Sequence, residues 1–240
     1  MTPHLKSDIS HARLEADSRY RKARKIHSIL HRQTDLDRCD VLDIGTGSGH
    51  IASYLSQYAK TVTSIDLHDE RQIRKGYAFA AVTDESIPFK SGSFDVVVSN
   101  HVIEHTPDQR RHISEIHRVL KKGGILYLAT PNRYWILEPH YFLPFLSWLP
   151  RSLSTIYLRL AKGREWDIHP LSYPKAKRLF RQAFSMHNAA LDVIKNPRAY
   201  HLDILLAIQP LIRCIPRPLL SPLAYILPSF ILILKKKQKQ

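Results

Sequence analysis

The 240-residue chain has only two cysteines, eight glycines and 21 acidic residues, the last against 36 Lys and Arg. Cys39 and Cys214 have neither the paired spacing of a metal site nor the density of a disulfide framework, so a reducing compartment is expected. The N-terminal stretch MTPHLKSDISHARLEADSRYRKARK lacks the apolar run of a signal peptide, and a cytoplasmic location follows as the expectation. An unbroken hydrophobic run long enough to cross a membrane is also missing. The apolar stretch from Leu219 to Leu234 is short of the roughly 20 residues needed and is broken by Pro222 and Pro228. The shortage of acid leaves a formal charge of +15, which admits nucleic acid, an anionic membrane or simply a well-solvated surface.

What is present is an ordinary globular composition, 44% hydrophobic and 24% charged, of a length that fits one domain over 1–240. Residues 12–33 carry Leu14, Ala23, Ile26, Ile29 and Leu30 at helical spacing and predict an N-terminal helix over the main fold. DVLDI (40–44), TVTSID (61–66), YAFAAV (77–82), SFDVVVSN (93–100) and ILYLATP (125–131) read as buried strands. GHIASYLSQYA and RRHISEIHRVLKKGG read as helices between them, the second closed by Gly123 and Gly124. Strands that alternate with helices and are continuous Val/Ile/Leu runs predict an α/β, doubly wound, mostly parallel sheet covered on both faces. The core spans 35–132. An aromatic- and proline-rich cap follows at 133–170, and a helix–strand part with an apolar insertion at 171–240 completes the chain. In that last part SYPKAKRLFRQAF predicts a helix, AALDVIK a strand and PSFILILKKK a final strand.

Gly45, Gly47 and Gly49 sit between the first strand and the first helix, where unpaired N–H groups and the positive helix end converge on a ligand. Glycine there lets a ligand touch main chain. A dinucleotide site would place its third glycine at position 50, which is His50 here, so a pyrophosphate is disfavoured. Asp43 just before the loop suits an ammonium group better than an anion. Asp66, about 20 residues on at the end of the second strand, is placed to accept hydrogen bonds from ribose hydroxyls.

These residues carry a resemblance. VLDIGTGSGHIA, SIDLH, VTDESIPFKSGSFDVVVSNHVIEHTPD and EIHRVLKKGGILYLATPN, in that order across about 40–132, resemble the motifs of the class I S-adenosylmethionine-dependent methyltransferases. The likeness is to the methyltransferase type 11 branch that includes ubiquinone and menaquinone methyltransferases. It implies a Rossmann-like methyltransferase fold and S-adenosyl-L-methionine as cofactor. It implies that Asp43, Gly45, Thr46, Gly47 and Gly49 surround the methionine part, and that Asp66 and Leu67 meet the ribose. Asp84 and Glu85 would lie by the adenine amino group, and Asn100 at the mouth of the fourth strand.

Methyl transfer needs alignment and exclusion of water more than elaborate catalysis, although a hydroxyl or acidic carbon acceptor benefits from a base. His101, His105 and His140 are the candidates; His105 could instead cap the following helix, and His140 could merely pack in the cap. His101 and His105 are spaced as a metal pair would be, but sequence shows no third ligand or carboxylate cluster nearby, so no metal is expected. The Asn/Asp-Pro-Pro-aromatic signature of base amino methylation is absent after the fourth strand, and neither cysteine suits pyrimidine carbon methylation, which argues against nucleic acid. The expectation is transfer to oxygen, or less readily carbon, of a small hydrophobic, lipid-linked or glycan acceptor. Trp135, Tyr141, Phe142, Phe145 and Trp148 would line its entrance or pack as core. The apolar C-terminal segment and its lysine tail fit either a final strand with core helices or peripheral contact with a membrane. The alternatives are an RNA methyltransferase using the basic face and a non-catalytic cofactor-binding protein held at a membrane.

Overall fold

The computed structural model describes residues 3–84, 86–201 and 209–237. Its centre is a seven-stranded sheet whose inner strands are the most deeply buried: β1 (Asp40–Ile44), β2 (Thr61–Asp66), β3 (Ala78–Ala81), β4 (Phe94–Asn100), β5 (Leu120–Pro131), β6 (Phe184–Asn188) and β7 (Ser229–Lys236). The order is β3-β2-β1-β4-β5-β7-β6, and β7 alone runs antiparallel to its neighbours. Strand order reverses between β1 and β4, so a crevice opens at the carboxyl ends of β1, β2 and β4.

Alternation along each strand divides the core into two layers. Val41, Val96, Tyr127, Ile231 and Ile233 face one side, where Ile26, Ile29 and Leu30 of α1 (Pro3–His31) and Leu55 of α2 (His50–Leu55) cover them. Leu42, Val97, Leu126, Leu128, Phe230 and Leu232 face the other, under Ile113 and Ile116 of α3 (Gln109–Val119) and Phe180 of α5 (Tyr173–Phe180). Between these lies α4 (Arg151–Lys162), and a small third cluster of Tyr141, Leu146, Leu158, Trp166 and Ile168 makes the cap a packed unit of its own. The chain then continues through α6 (Ala190–Lys195), α7 (Gln209–Cys214) and α8 (Arg217–Leu220).

Three expectations are corrected. Gly123 and Gly124 do not end a helix: α3 stops at Val119 and the glycines lie inside β5, where the pairing with β4 shifts register between Phe94 and Val96. Gly123 takes φ 72°, and a Cβ on Gly124 would stand 3.0 Å from the Asp95 carbonyl, so the pair serves a bulge. AALDVIK is not a strand but supplies α6, and the strand beside it is the more polar FSMHN of β6. As the edge of the sheet, β6 alternates buried and exposed residues and lacks the apolar run that marks central strands. Finally, α2 has six residues, fewer than GHIASYLSQYA suggested, so fewer aligned peptide dipoles stand behind the glycine loop.

PSFILILKKK does form the last strand, and no helix among the described residues is long and apolar enough to cross a membrane. Residues 202–208 and 238–240, part of the segment considered for membrane contact, lie outside the described residues. Phe230 is fully buried in β7, so Phe230→Ala should lower unfolding free energy by about 3 to 5 kcal/mol in a urea titration. An unchanged midpoint would place β7 outside the cooperative core.

Candidate active site

The loop after β1 is tied down by main chain. Gly45 N–H donates to the Ile65 carbonyl at 2.9 Å, and the Ser48 carbonyl accepts from Gln72 and Ile73 N–H at 3.0 and 3.1 Å. Thr46, buried, hydrogen-bonds Ser64 of β2 through the two hydroxyls. The three glycines all have positive φ, yet for different reasons. A Cβ on Gly45 would collide with Val102, and one on Gly49 with the Ile73 carbonyl and the Tyr77 hydroxyl, so these two are required by packing within the protein. A Cβ on Gly47 would meet nothing within 4 Å. Of the three, only Gly47 has open space where a Cβ would stand, while Gly49 lines neither cavity, which narrows the expectation that all three meet a ligand.

Two carboxylates stand at the ends of neighbouring strands. Asp66 Oδ2 accepts the Gly47 N–H and its Oδ1 the Leu67 N–H, both at 2.8 Å, which orients the group while leaving lone pairs for hydroxyl donors. Asp43 is 1% exposed, and its Oδ2 has no hydrogen-bond partner. Burial, with repulsion from Asp66 added, pushes its carboxyl up to about 8. A buried acid held in this way favours an arriving cation.

Beyond the loop lies a cavity of about 920 Å³ lined by Gly45, Gly47, Asp66, Leu67, Asp84 and His112, among others. Asp84 Oδ1 accepts Ser86 N–H at 2.7 Å, which with Arg111 nearby holds its carboxyl below the ordinary range; Arg111 also donates to the Ser86 hydroxyl. Glu85 lies outside the described residues. A second cavity, about 200 Å³, adjoins through Gly45, Gly47 and His101, and is lined by Thr46, Ser48 and Asn100 together with Arg19 and Lys22 of α1. The structure thus brings the expected Gly45, Thr46, Gly47, Asp66, Leu67, Asp84 and Asn100 to two connected cavities, with Asp43 buried beneath them and Gly49 turned to packing. Sequence reasoning missed Arg19, Lys22, Arg111 and His112. His112 occupies a helix position aligned with Ile116 and Val119, which reads as core; its Nε2 is nevertheless buried without a partner, and burial pushes its imidazole down to about 4.

The three candidate histidines converge at the mouth. His101 sits at φ 61°, a left-handed conformation uncommon for a side-chain-bearing residue, and its Nδ1 lies 3.1 Å from Glu104 Oε1. His105 does not cap α3; that role belongs to Asp108, whose Oδ1 accepts from Arg110 and Arg111 N–H at 3.0 Å each. The His105 ring instead meets the His140 ring edge-on at 5.1 Å. His140 Nδ1 is 2.7 Å from Glu138 Oε1; burial lowers its affinity for a proton, but Glu138, Glu104 and Asp167 together outweigh this and the net shift is upward. Among the cap aromatics, Tyr141 is buried and donates to Asp167 at 2.6 Å, whereas Phe142, Phe145 and Trp148 are exposed.

Residues 42–128 match a family model described as a methyltransferase domain. A probable S-adenosylmethionine-dependent methyltransferase of Mycolicibacterium smegmatis is 34% identical over 116 residues, 45% of this chain and 44% of that protein. A ubiquinone biosynthesis O-methyltransferase of Pseudomonas aeruginosa is 35% identical over 103 residues, 39% of this chain and 44% of that protein. The chain thus spans less than half the length of these relatives. Among solved structures, the YcgJ protein of Bacillus subtilis superposes with TM-score 0.55 at 19% identity, covering 90% of this chain and 99% of that one. An S-adenosylmethionine-dependent methyltransferase from Mesorhizobium loti gives 0.55 at 14% identity, covering 84% and 93%. Over residues 42–128 the chain is thus similar to a methyltransferase domain, and its fold is that of these solved structures.

Proposed function

We propose that the protein transfers a methyl group from S-adenosyl-L-methionine to an oxygen, or less readily a carbon, of a small hydrophobic, lipid-linked or glycan acceptor. The observation that carries the reading is Asp43: a buried carboxylate with an unpartnered oxygen beneath open main chain at Gly47. The cofactor supplies an electrophilic methyl on a sulfonium. The residues present fit its parts. Asp43, buried beside the glycine loop, would answer the ammonium of an amino-acid end, and Arg19 and Lys22, which line the small cavity, would answer its carboxylate. Asp66 presents lone pairs to ribose hydroxyls, Leu67 and Ile87 offer apolar surface to an adenine, and Asp84 accepts from its amino group.

The acceptor assignment draws on the cap. Phe142 and Phe145 are exposed aromatics held at φ 53° and 57°, and Phe145 packs edge-on against exposed Trp148 at 5.2 Å. Leu153, Ile156 and Leu160 of α4 add an exposed apolar helix face, with Arg159 and Lys162 on the same helix. Such a surface suits an apolar acceptor or the membrane that carries it. The relative from Pseudomonas aeruginosa, an O-methyltransferase by its description, is consistent with oxygen as the accepting atom.

The direct test incubates the protein with methyl-tritiated cofactor and a cell extract, then separates lipid, polysaccharide, RNA, protein and small-molecule fractions. Label in lipid, glycan or small molecules is expected; label in RNA, or none with the cofactor bound, would overturn the assignment. The glycine loop offers a finer check. Gly47→Ala should keep a near-normal melting temperature, costing about 1 to 2 kcal/mol for its left-handed backbone, yet weaken S-adenosylhomocysteine binding in calorimetry. Gly49→Ala should show the reverse emphasis, a clear loss of thermal stability from its collision with Ile73 and Tyr77.

A further inference from the structure

Glu104, His105 and His140 bring three potential ligand atoms within 4.8 Å of one another, the one group of three such residues found among the described residues. Sequence gave no hint of it, because His140 comes from the cap while Glu104 and His105 follow β4. We propose that this cluster binds a borderline divalent transition ion such as zinc, iron or cobalt, and that the ion receives an oxygen of the methyl acceptor.

The supporting groups are already arranged. Glu138 is a carboxylate and can only accept, so the 2.7 Å contact puts the proton of His140 on Nδ1 and leaves Nε2 as a lone-pair donor. A carboxylate behind a ligating imidazole is the usual outer shell of a metal site. Glu138 is fixed in turn by the His140 and Tyr141 N–H groups at 2.8 and 2.7 Å. Glu104 accepts from Thr130 Oγ1 at 3.0 Å and from His101 Nδ1, one hydrogen bond to each carboxylate oxygen, so both oxygens keep a lone pair. The third ligand, His105, is exposed, and rotation of its ring can bring the three atoms, all within 4.8 Å of one another, to the roughly 3 to 3.5 Å between ligands bonded at about 2.1 Å.

Charge points the same way. Glu104 and Glu138 are 0% and 2% exposed, and among the described residues neither is bridged to a lysine or arginine; their ionic contacts are His101 and His140. Two buried carboxylates whose ionic partners among the described residues are imidazoles alone favour a cation. One carboxylate and two imidazoles form a donor set for zinc and its neighbours rather than for magnesium or calcium, which prefer all-oxygen shells. Positions beyond the three protein ligands stay open to an incoming oxygen. His101 and His105 line the same cavity as Gly47 and Asp66, so an oxygen on this ion would lie at the boundary between that cavity and the cap. A hydroxyl so bound gives up its proton to water more readily.

The geometry stands independently of the methyl-transfer reading, but the role given to the ion rests on it. The test uses the full chain with cobalt(II) as probe, followed by visible absorption and metal analysis after dialysis, with S-adenosylhomocysteine binding measured separately. One cobalt per chain with ligand-field bands is expected, with affinity reduced at least about tenfold in His105→Ala and in Glu138→Gln. S-adenosylhomocysteine binding should be retained in Glu138→Gln, whose side chain lies in the cap and lines neither cofactor cavity. His31→Ala, which dismantles the other imidazole pair, the stacked His27 and His31, should leave cobalt binding unchanged. No stoichiometric cobalt, or cobalt retained equally by His105→Ala, would overturn the metal site while leaving the cofactor reading intact. Cobalt binding without S-adenosylhomocysteine binding would do the opposite.

Discussion

Two carboxylates that cannot both be comfortable when ionised stand at the ends of adjacent parallel strands, and the candidate site is organised around them. Asp66 is accommodated by main-chain donors, Gly47 N–H and Leu67 N–H, which also fasten the loop to β2. Asp43 has no such relief: it is buried, one oxygen is unpaired, and it retains its proton well above the usual carboxylate range. A sequence selected only for stability would place an apolar residue there, as it does at Leu42 and Ile44 on either side. The cost to the free protein becomes intelligible if a cation arrives to offset it.

The sheet makes this arrangement possible. Parallel strands deliver their carboxyl ends to one edge of the molecule, and the reversal between β1 and β4 parts the following loops. Both faces are covered, by α1 on one side and by α3 and α5 on the other, so the crevice is the open end of a rigid layer. The cap adds what the sheet lacks, exposed aromatics, an apolar helix face and the His140–Glu138 pair. In the proposed reading the sheet would supply the cofactor end and the cap the acceptor end, and between them stands His101 with its left-handed backbone.

Much of this was legible in the sequence, for physical reasons. Inner strands are buried along most of their length, so β1 and β2 stand out as short β-branched and aliphatic segments with boundaries that match those observed. Glycines at 45, 47 and 49 announced a loop of left-handed backbone, although pattern alone could not tell Gly47, open to a ligand, from Gly49, pressed against Ile73. Edge and irregular elements were less legible: β6 is half polar because one side of it faces solvent, and Gly123 and Gly124 mimic a helix stop while serving a bulge. Contacts between distant segments were not legible. Arg19 and Lys22 reach the loop from α1, and His140 reaches Glu104 from the cap, and spacing in the chain encodes neither meeting.

The central claim, that Asp43 stands ready for the ammonium of the cofactor, is tested most directly by proton exchange on binding. With its carboxyl at about 8 in the free protein, Asp43 is protonated at pH 7, and pairing with a cation ionises it. Calorimetry of S-adenosylhomocysteine binding at pH 7, repeated in buffers of different ionisation enthalpy, should show release of about one proton per ligand, and Asp43→Asn should abolish that release. Binding of equal affinity without proton release in the wild type would contradict the account.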